Sequence, residues 1–286
     1  MSLMEKIGTR LVFADGDTDA LLIATGVRPE SCIEAQCMEN PGLVANCHTA
    51  FADAGSEIIR TNSFGANSVR LASFGLADHV NEINWQAAQI ARQSVKGRDV
   101  TVAGSVGPLP TNDLPRHEVA AVFREQIGAL LDGGAQMIFF EAFGDLDDLL
   151  VALEIKYSLH HCPAVCSLSF SNAGTLADGT TLAAAFAKLA NADADILGIS
   201  CSQKSCLALA AAAHELSLST PCTISLSRMP ADKPDPEEFA STCPALARVG
   251  VGIIAGGSGI LAKHLAAARK NTTNPSGETL ADGPSS

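Results

Sequence analysis

Apolar residues in this chain gather into short continuous runs, and each run is followed by a longer stretch whose apolar positions recur at helical spacing. Eight runs stand out: LVFAD (11–15), EIIRT (57–61), VTVAG (100–104), QMIFFE (136–141), AVCSLS (164–169), DILGIS (195–200), CTISLS (222–227) and VGIIAG (251–256). Their length suits strands, and their continuous apolar character predicts burial on both faces. Between them, NPGLVANCHTAFADAG (40–55), HEVAAVFREQIGALLDGG (117–134) and LDDLLVALEIKYSLH (146–160) open on polar residues or Pro and stop at Gly or His, which predicts helices. Eight strand–helix units within about 270 residues predict an α/β fold of the (β/α)8 TIM-barrel kind, a single domain over residues 1–270.

A doubly wound open sheet fits less well, because the first strand leads into ADGDTDALL where such folds carry G-x-G-x-x-G. The stretch 16–56 is long enough for elements besides one helix, the last helix is expected to reach about Lys270, and NTTNPSGETLADGPSS (271–286) has the composition of a disordered tail. With 47% apolar and 17% charged residues the chain can bury a large core. Its net charge of −12, with no basic cluster longer than a pair, argues against nucleic acid as a partner. Nine cysteines without C-x-x-C spacing predict reduced thiols and a cytoplasmic protein. No signal-like start and no apolar stretch of about 18 residues is present, so neither targeting nor a membrane is expected.

Barrel enzymes place reacting groups at the C-terminal ends of their strands. Those ends supply Asp15, then Thr61 with Asn62 and Ser63, Ser105, Glu141, Ser169, Cys201, Ser227 and the Gly256–Gly259 turn. The ring has two carboxylates, one thiol and several hydroxyls, and its lack of Lys and His disfavours Schiff-base chemistry and a histidine base. Asp15 and Glu141 end apolar runs, where an unpaired carboxylate is costly. A substrate ammonium is one candidate partner; the alternatives are a turn cap for Asp15 and Arg60 or Arg10 for Glu141. Cys201 suits a nucleophile, a metal ligand or apolar filler, while the remaining cysteines read as packing. The turn AGGSGILAKH (255–264) suits either an anion held at a helix N-terminus or a tight turn that holds nothing.

In order along residues 8–268, the segments ADGDTDALL, NPGLVANCHTAFADAGSEIIRTNSFGAN, EINWQAAQIAR with VAGSVGPLPT, FREQIGALLDGGAQMIFFEAF, ADILGISC and VGVGIIAGGSGILAKHL resemble the homocysteine S-methyltransferase family. That resemblance implies methyl transfer to a thiol, with Glu141 in the family's acidic position and a zinc ion held by three cysteines. Of those three positions this chain keeps Cys201; the adjacent pair reads Gly257 and Ser258. A glycine offers no ligand and a serine hydroxyl is a poor substitute for thiolate, so a zinc-free relative is expected. Asp17 and Asp19 also stand where the family has small residues, and SLSRMPADKP (225–234) replaces its Asn-rich turn. The expected activity is methyl transfer with another donor or acceptor. Cys201 and Glu141 would be catalytic, and Asp15, Asn62, Ser63, Ser105 and Ser258 would hold a small-molecule substrate. A corrinoid partner protein is one source of the methyl group, and a homo-oligomer stays open. The alternatives are a genuine homocysteine methyltransferase with an atypical site and a non-catalytic binding barrel.

Overall fold

In the computed structural model the described residues are 1–110, 113–216, 222–227 and 235–273, with residues 222–227 described by backbone alone. The strands are β1 (Val12–Phe13), β2 (Ile58–Arg60), β3 (Thr101–Val106), β4 (Met137–Phe143), β5 (Ala164–Ser169), β6 (Ile196–Ser202), β7 (Cys222–Ser227) and β8 (Val251–Gly256). The helices, in chain order, are α1 (Leu3–Thr9), α2 (Thr18–Ala24), α3 (Gln36–Glu39), α4 (Pro41–Asp53), α5 (Ser68–Ala72), α6 (Val80–Ser94), α7 (Arg116–Asp132), α8 (Leu146–Leu159), α9 (Leu182–Asn191), α10 (Cys206–Glu215), α11 (Pro236–Arg248) and α12 (Ala262–Thr273). All neighbouring strands are parallel, in the order β1-β8-β7-β6-β5-β4-β3-β2. The two end strands also meet: Ala14 bridges Ile58, the Glu57 N–H donates to the Phe13 carbonyl at 2.7 Å, and the Asp15 N–H donates to the Ile58 carbonyl at 2.9 Å.

Each of the eight apolar runs forms a strand, and the helical stretches become α4, α7 and α8. Local chemistry fixes several starts. Pro41 opens α4, and the Asp145 side chain caps α8 by accepting from the Asp147 and Asp148 N–H groups at 2.8 and 3.0 Å. The stretch 16–56 carries α2, α3 and α4, whereas α1 falls in a segment whose pattern gave no element. Helix α12 continues to Thr273, past the expected stop, and residues 274–286 lie outside the described residues.

Alternation along the strands sorts the core into two layers. One face carries Val12, Ala14, Ile58, Ala103, Met137, Phe139, Val165, Ile196, Ile253 and Ala255, packed together with Ile7 of α1. The other face, including Phe13, Ile59, Val102, Ile138, Phe140, Cys166, Leu168, Leu197 and Ile199, packs against the helices. On the first face the next residue toward the C-terminal end turns polar: Ile58 gives way to Arg60, Ala103 to Ser105 and Phe139 to Glu141. That change positions the site. No helix among the described residues is long and apolar enough to cross a membrane.

Candidate functional site

A cavity of about 200 Å³ opens at the C-terminal ends of the strands. Its lining includes Gly16, Asp17, Thr18 and Asp19 after β1, Arg60 to Phe64 after β2, Ser105, Glu141, Ala142 and Ser200 on β3, β4 and β6, and Gly256 to Ser258 after β8. Five of the residues proposed from sequence therefore share one space: Glu141, Asn62, Ser63, Ser105 and Ser258. Asp15 and Cys201 are not among the lining residues.

Asp15 is fully buried beneath the cavity and bound to Arg60. The Arg60 Nε donates to Asp15 Oδ1 at 2.7 Å, and the Arg60 backbone N–H donates to Oδ2 at 2.9 Å. Nη1 of Arg60 donates to Glu141 Oε2. Nη2 donates to the carbonyls of Asp15, Gly16 and Gly256 at 3.0, 3.0 and 2.6 Å. The guanidinium lies over the Phe139 ring, 5.4 Å from its centroid. Burial pushes the Asp15 carboxyl up to about 6, against the pull of Arg60, while Arg60 itself is held charged by its two carboxylates. The cation that answers Asp15 and Glu141 is thus part of the protein.

Around this pair runs a hydroxyl network. Ser105 Oγ donates to Glu141 Oε1, and the Ser105 N–H donates to Thr61 Oγ1 at 2.9 Å. Thr61 and Ser63 share a hydrogen bond of 2.6 Å, and Ser63 Oγ donates to the Ser105 carbonyl at 2.8 Å. Asn62 donates to the Ile33 carbonyl at 2.9 Å and rests against Cys37, whose thiol burial pushes up to about 12. Glu141 is carried on an irregular part of β4: the register with β5 shifts between Phe140 and Phe143, and Ala142 has φ +54°. Such a bulge re-aims the side chains beside it, and the left-handed alanine at the cavity wall is a local strain.

The glycine turn after β8 holds the protein's own first loop. Gly259 N–H donates to Asp17 Oδ2 at 2.7 Å, Asp17 Oδ1 accepts from the Ala20 N–H at 2.9 Å, and the Asp17 N–H reaches the Ile260 carbonyl at 2.7 Å. Asp17 is thereby both the N-cap of α2 and a strap between β1 and β8. A Cβ on Gly16 would stand 2.0 Å from the Ile260 oxygen, so the two loops approach this closely because residue 16 has no side chain. Asp19 stands at the mouth, still exposed to solvent. The surrounding protein, then the fields of Glu34, Asp17 and Glu141, raise its carboxyl to about 7.

Zinc held by three thiolates does not fit these residues. Cys201 follows Leu197 and Ile199 on the helix-facing side of β6 and is buried in that apolar layer, while Ser200 lines the cavity. Gly257 has no ligating side chain, and Ser258 offers a hydroxyl at the exposed rim. Among the described residues no group of three His, Cys, Asp or Glu side chains is placed to hold a metal ion.

The sequence offers Arg60 as one partner for Glu141; the structure makes it the centre of the site, bound to both carboxylates and three backbone carbonyls. Its position at the polar end of EIIRT, level with two strand-end carboxylates, was the available signal. Thr18, Phe64 and Ser200 also line the cavity, without a signal in the strand-end pattern that singles them out.

These features define a parallel α/β protein with an acidic, hydroxyl-lined cavity at its strand ends. The fold is that of the homocysteine methyltransferase MmuM from Escherichia coli, whose metallated form superposes with a TM-score of 0.82 at 22% identity over 92% of this chain and 96% of that one. The sequence profile described as Homocysteine S-methyltransferase matches residues 11–272, and the chain belongs to that family. Methionine synthase from Mycobacterium leprae is 26% identical over 219 residues, which is 70% of this chain and 18% of that protein. Betaine–homocysteine S-methyltransferase 1 from Sus scrofa is 28% identical over 170 residues, 57% of this chain and 60% of that protein. The chain thus spans less than a fifth of the methionine synthase.

Proposed function

We propose that this protein is a zinc-independent methyltransferase that moves a methyl group from a small cationic donor to an acceptor bound in the strand-end cavity. The reading treats the sheet as a closed (β/α)8 barrel, which the Ala14–Ile58 bridge between the end strands supports. The observation that carries it is the charge balance of the site. Asp15 and Glu141 pair with Arg60, the one cation among the lining residues, and match its charge, while Asp17 and Asp19 line the mouth as further carboxylates. The surplus negative charge at the mouth favours a sulfonium or quaternary ammonium group. The same charge favours a small onium over a corrinoid presented by a partner protein.

The chemistry then needs few groups. A lone pair on the acceptor attacks the methyl carbon while the bond from that carbon to the onium centre breaks, and the donor leaves neutral. The acceptor's proton passes to Asp19, whose carboxyl near 7 suits it to accept a proton at neutral pH. Glu141, locked by Ser105 and Arg60, fixes the cavity wall, and Phe64 lines the mouth beside it. Orientation in a closed space supplies much of the rate gain.

The test combines the chelator-treated protein with sulfonium and quaternary-ammonium methyl donors and a panel of thiols, with methylated product read by mass spectrometry. Turnover is expected to rise as pH passes through about 7, the range in which Asp19 loses its proton, and Asp19→Asn is expected to flatten that rise. Absence of transfer from every onium donor, or an unaltered pH profile in Asp19→Asn, would remove the proposal.

A further inference from the structure

Both carboxylates beneath the cavity have their oxygens engaged. Asp15 Oδ1 and Oδ2 accept from the Arg60 side chain and backbone, and Glu141 Oε2 and Oε1 accept from Arg60 and Ser105. The Arg60 side chain is buried, at 8% exposure, and bonds to two carboxylates and three backbone carbonyls. A ligand ammonium that sought Glu141 from the cavity would have to displace this guanidinium. Displacement would strand a buried charge and three carbonyls, a loss that one ammonium–carboxylate pair does not offset.

We propose that Arg60 is a specificity-determining residue: a tethered cation that shuts the ammonium seat at Glu141 and Asp15, so that the acceptor is a thiol without a protonated α-amine. The inference rests on the methyl-transfer reading for the acceptor's identity, but the shut seat itself is read by binding. The remaining carboxylates do not reopen the seat. Asp17 is engaged by the Gly259 and Ala20 N–H groups, and Asp19 stands at the mouth, away from Arg60's carbonyl cage.

The experiment is titration calorimetry of the full chain, under reducing conditions, with homocysteine and with 4-mercaptobutanoate, its counterpart lacking the amine. In the wild type the desamino thiol is expected to bind as tightly as homocysteine or more so. Homocysteine binding tighter by about tenfold or more would overturn the proposal, because the amine would then contribute about 1.4 kcal/mol. Heat from neither thiol would overturn the acceptor class and the thiol form of the methyl-transfer reading together, whereas tighter homocysteine binding would overturn the shut seat and leave transfer to a thiol standing, so the two failures are distinct. In Arg60→Ala, homocysteine affinity is expected to rise by about tenfold relative to the desamino thiol as the carboxylates are uncovered. A variant that is folded by circular dichroism and shows no such change would also overturn the assignment. If the variant does not fold, the wild-type comparison decides alone.

Discussion

His48 tests the interior energetics of the fold most directly. It lies on α4 with no exposed surface, and neither ring nitrogen has a hydrogen-bond partner. Burial lowers its pKa from the ordinary 6.5 to about 4, so the native state holds it neutral where the unfolded chain takes up a proton. Between those two values the unfolded state binds more protons, and stability therefore falls as pH falls. The contribution is untouched above about pH 6.5 and fully lost below about pH 4; at about pH 5 roughly one and a half pH units have been crossed, or about 2 kcal/mol. His48→Leu removes both the titration and the two orphaned nitrogens. Asp15 and Asp19, with raised values, work in the opposite sense, gaining relative stability as pH falls through about 7 to 4, but they are common to both proteins and cancel in the difference. Equilibrium urea unfolding of wild type and variant at about pH 7 and about pH 5 should show the variant's relative stability growing by about 2 kcal/mol at the lower pH. An identical difference at both values would mean that His48 is hydrated or partnered in the native protein, and the reasoning from its burial would be wrong.

Three further outcomes follow from the site. Gly16→Ala places a methyl group 2.0 Å from the Ile260 oxygen and 2.9 Å from Phe51 Cε1, so the β1 and β8 loops must part; a loss of about 2–4 kcal/mol in urea unfolding is expected, and an unchanged midpoint would contradict the close approach. Ala142→Gly relieves a left-handed alanine at φ +54° and should raise stability by about 0.5–1 kcal/mol while lowering turnover, because the bulge that aims Glu141 loosens; a fall in the urea midpoint would refute the strain. Protein purified without chelator is expected to carry far less than stoichiometric zinc by plasma mass spectrometry, and tightly held zinc at one per chain would show that ligands other than Cys201, Gly257 and Ser258 form a seat.

The strands were legible because parallel strands covered on both faces must be apolar throughout, and a run such as AVCSLS admits few other fates. The strand-end rule then found Glu141, Ser105, Asn62, Ser63 and Ser258 at one cavity from position alone. Two facts escaped it for separate physical reasons. In GISCS a shift of one residue decides whether Ser200 or Cys201 faces the cavity, and that parity is set by pairing with β5 and β7, which the local pattern does not contain. The Arg60 pairings and the raised Asp19 arise from groups far apart in sequence: Glu141 is 81 residues from Arg60, and Glu34 reaches Asp19 only through the folded β1–β2 connection. Charges read one at a time along a chain give candidate partners, whereas the choice among them belongs to the tertiary fold.

The glycine turn after β8 is tied to the first loop by hydrogen bonds at the place where the family resemblance implies a metal seat. A metal seat ties loops together through an ion, and a chain without the thiolates needs another tie or the strand ends separate. Here the tie is made of hydrogen bonds: Gly259 to Asp17, Asp17 to Ile260 and Gly256 to Asp15, with the last acceptor carbonyl also receiving Arg60. Charge-assisted bonds from backbone N–H groups to a carboxylate are among the stronger of their kind, and Asp17 engages two. Gly257 and Ser258, which offer no thiolate, thus sit in a turn anchored by their neighbours Gly256, Gly259 and Ile260. Asp17 and Asp19, after β1, add two carboxylates to the lining of the strand-end cavity.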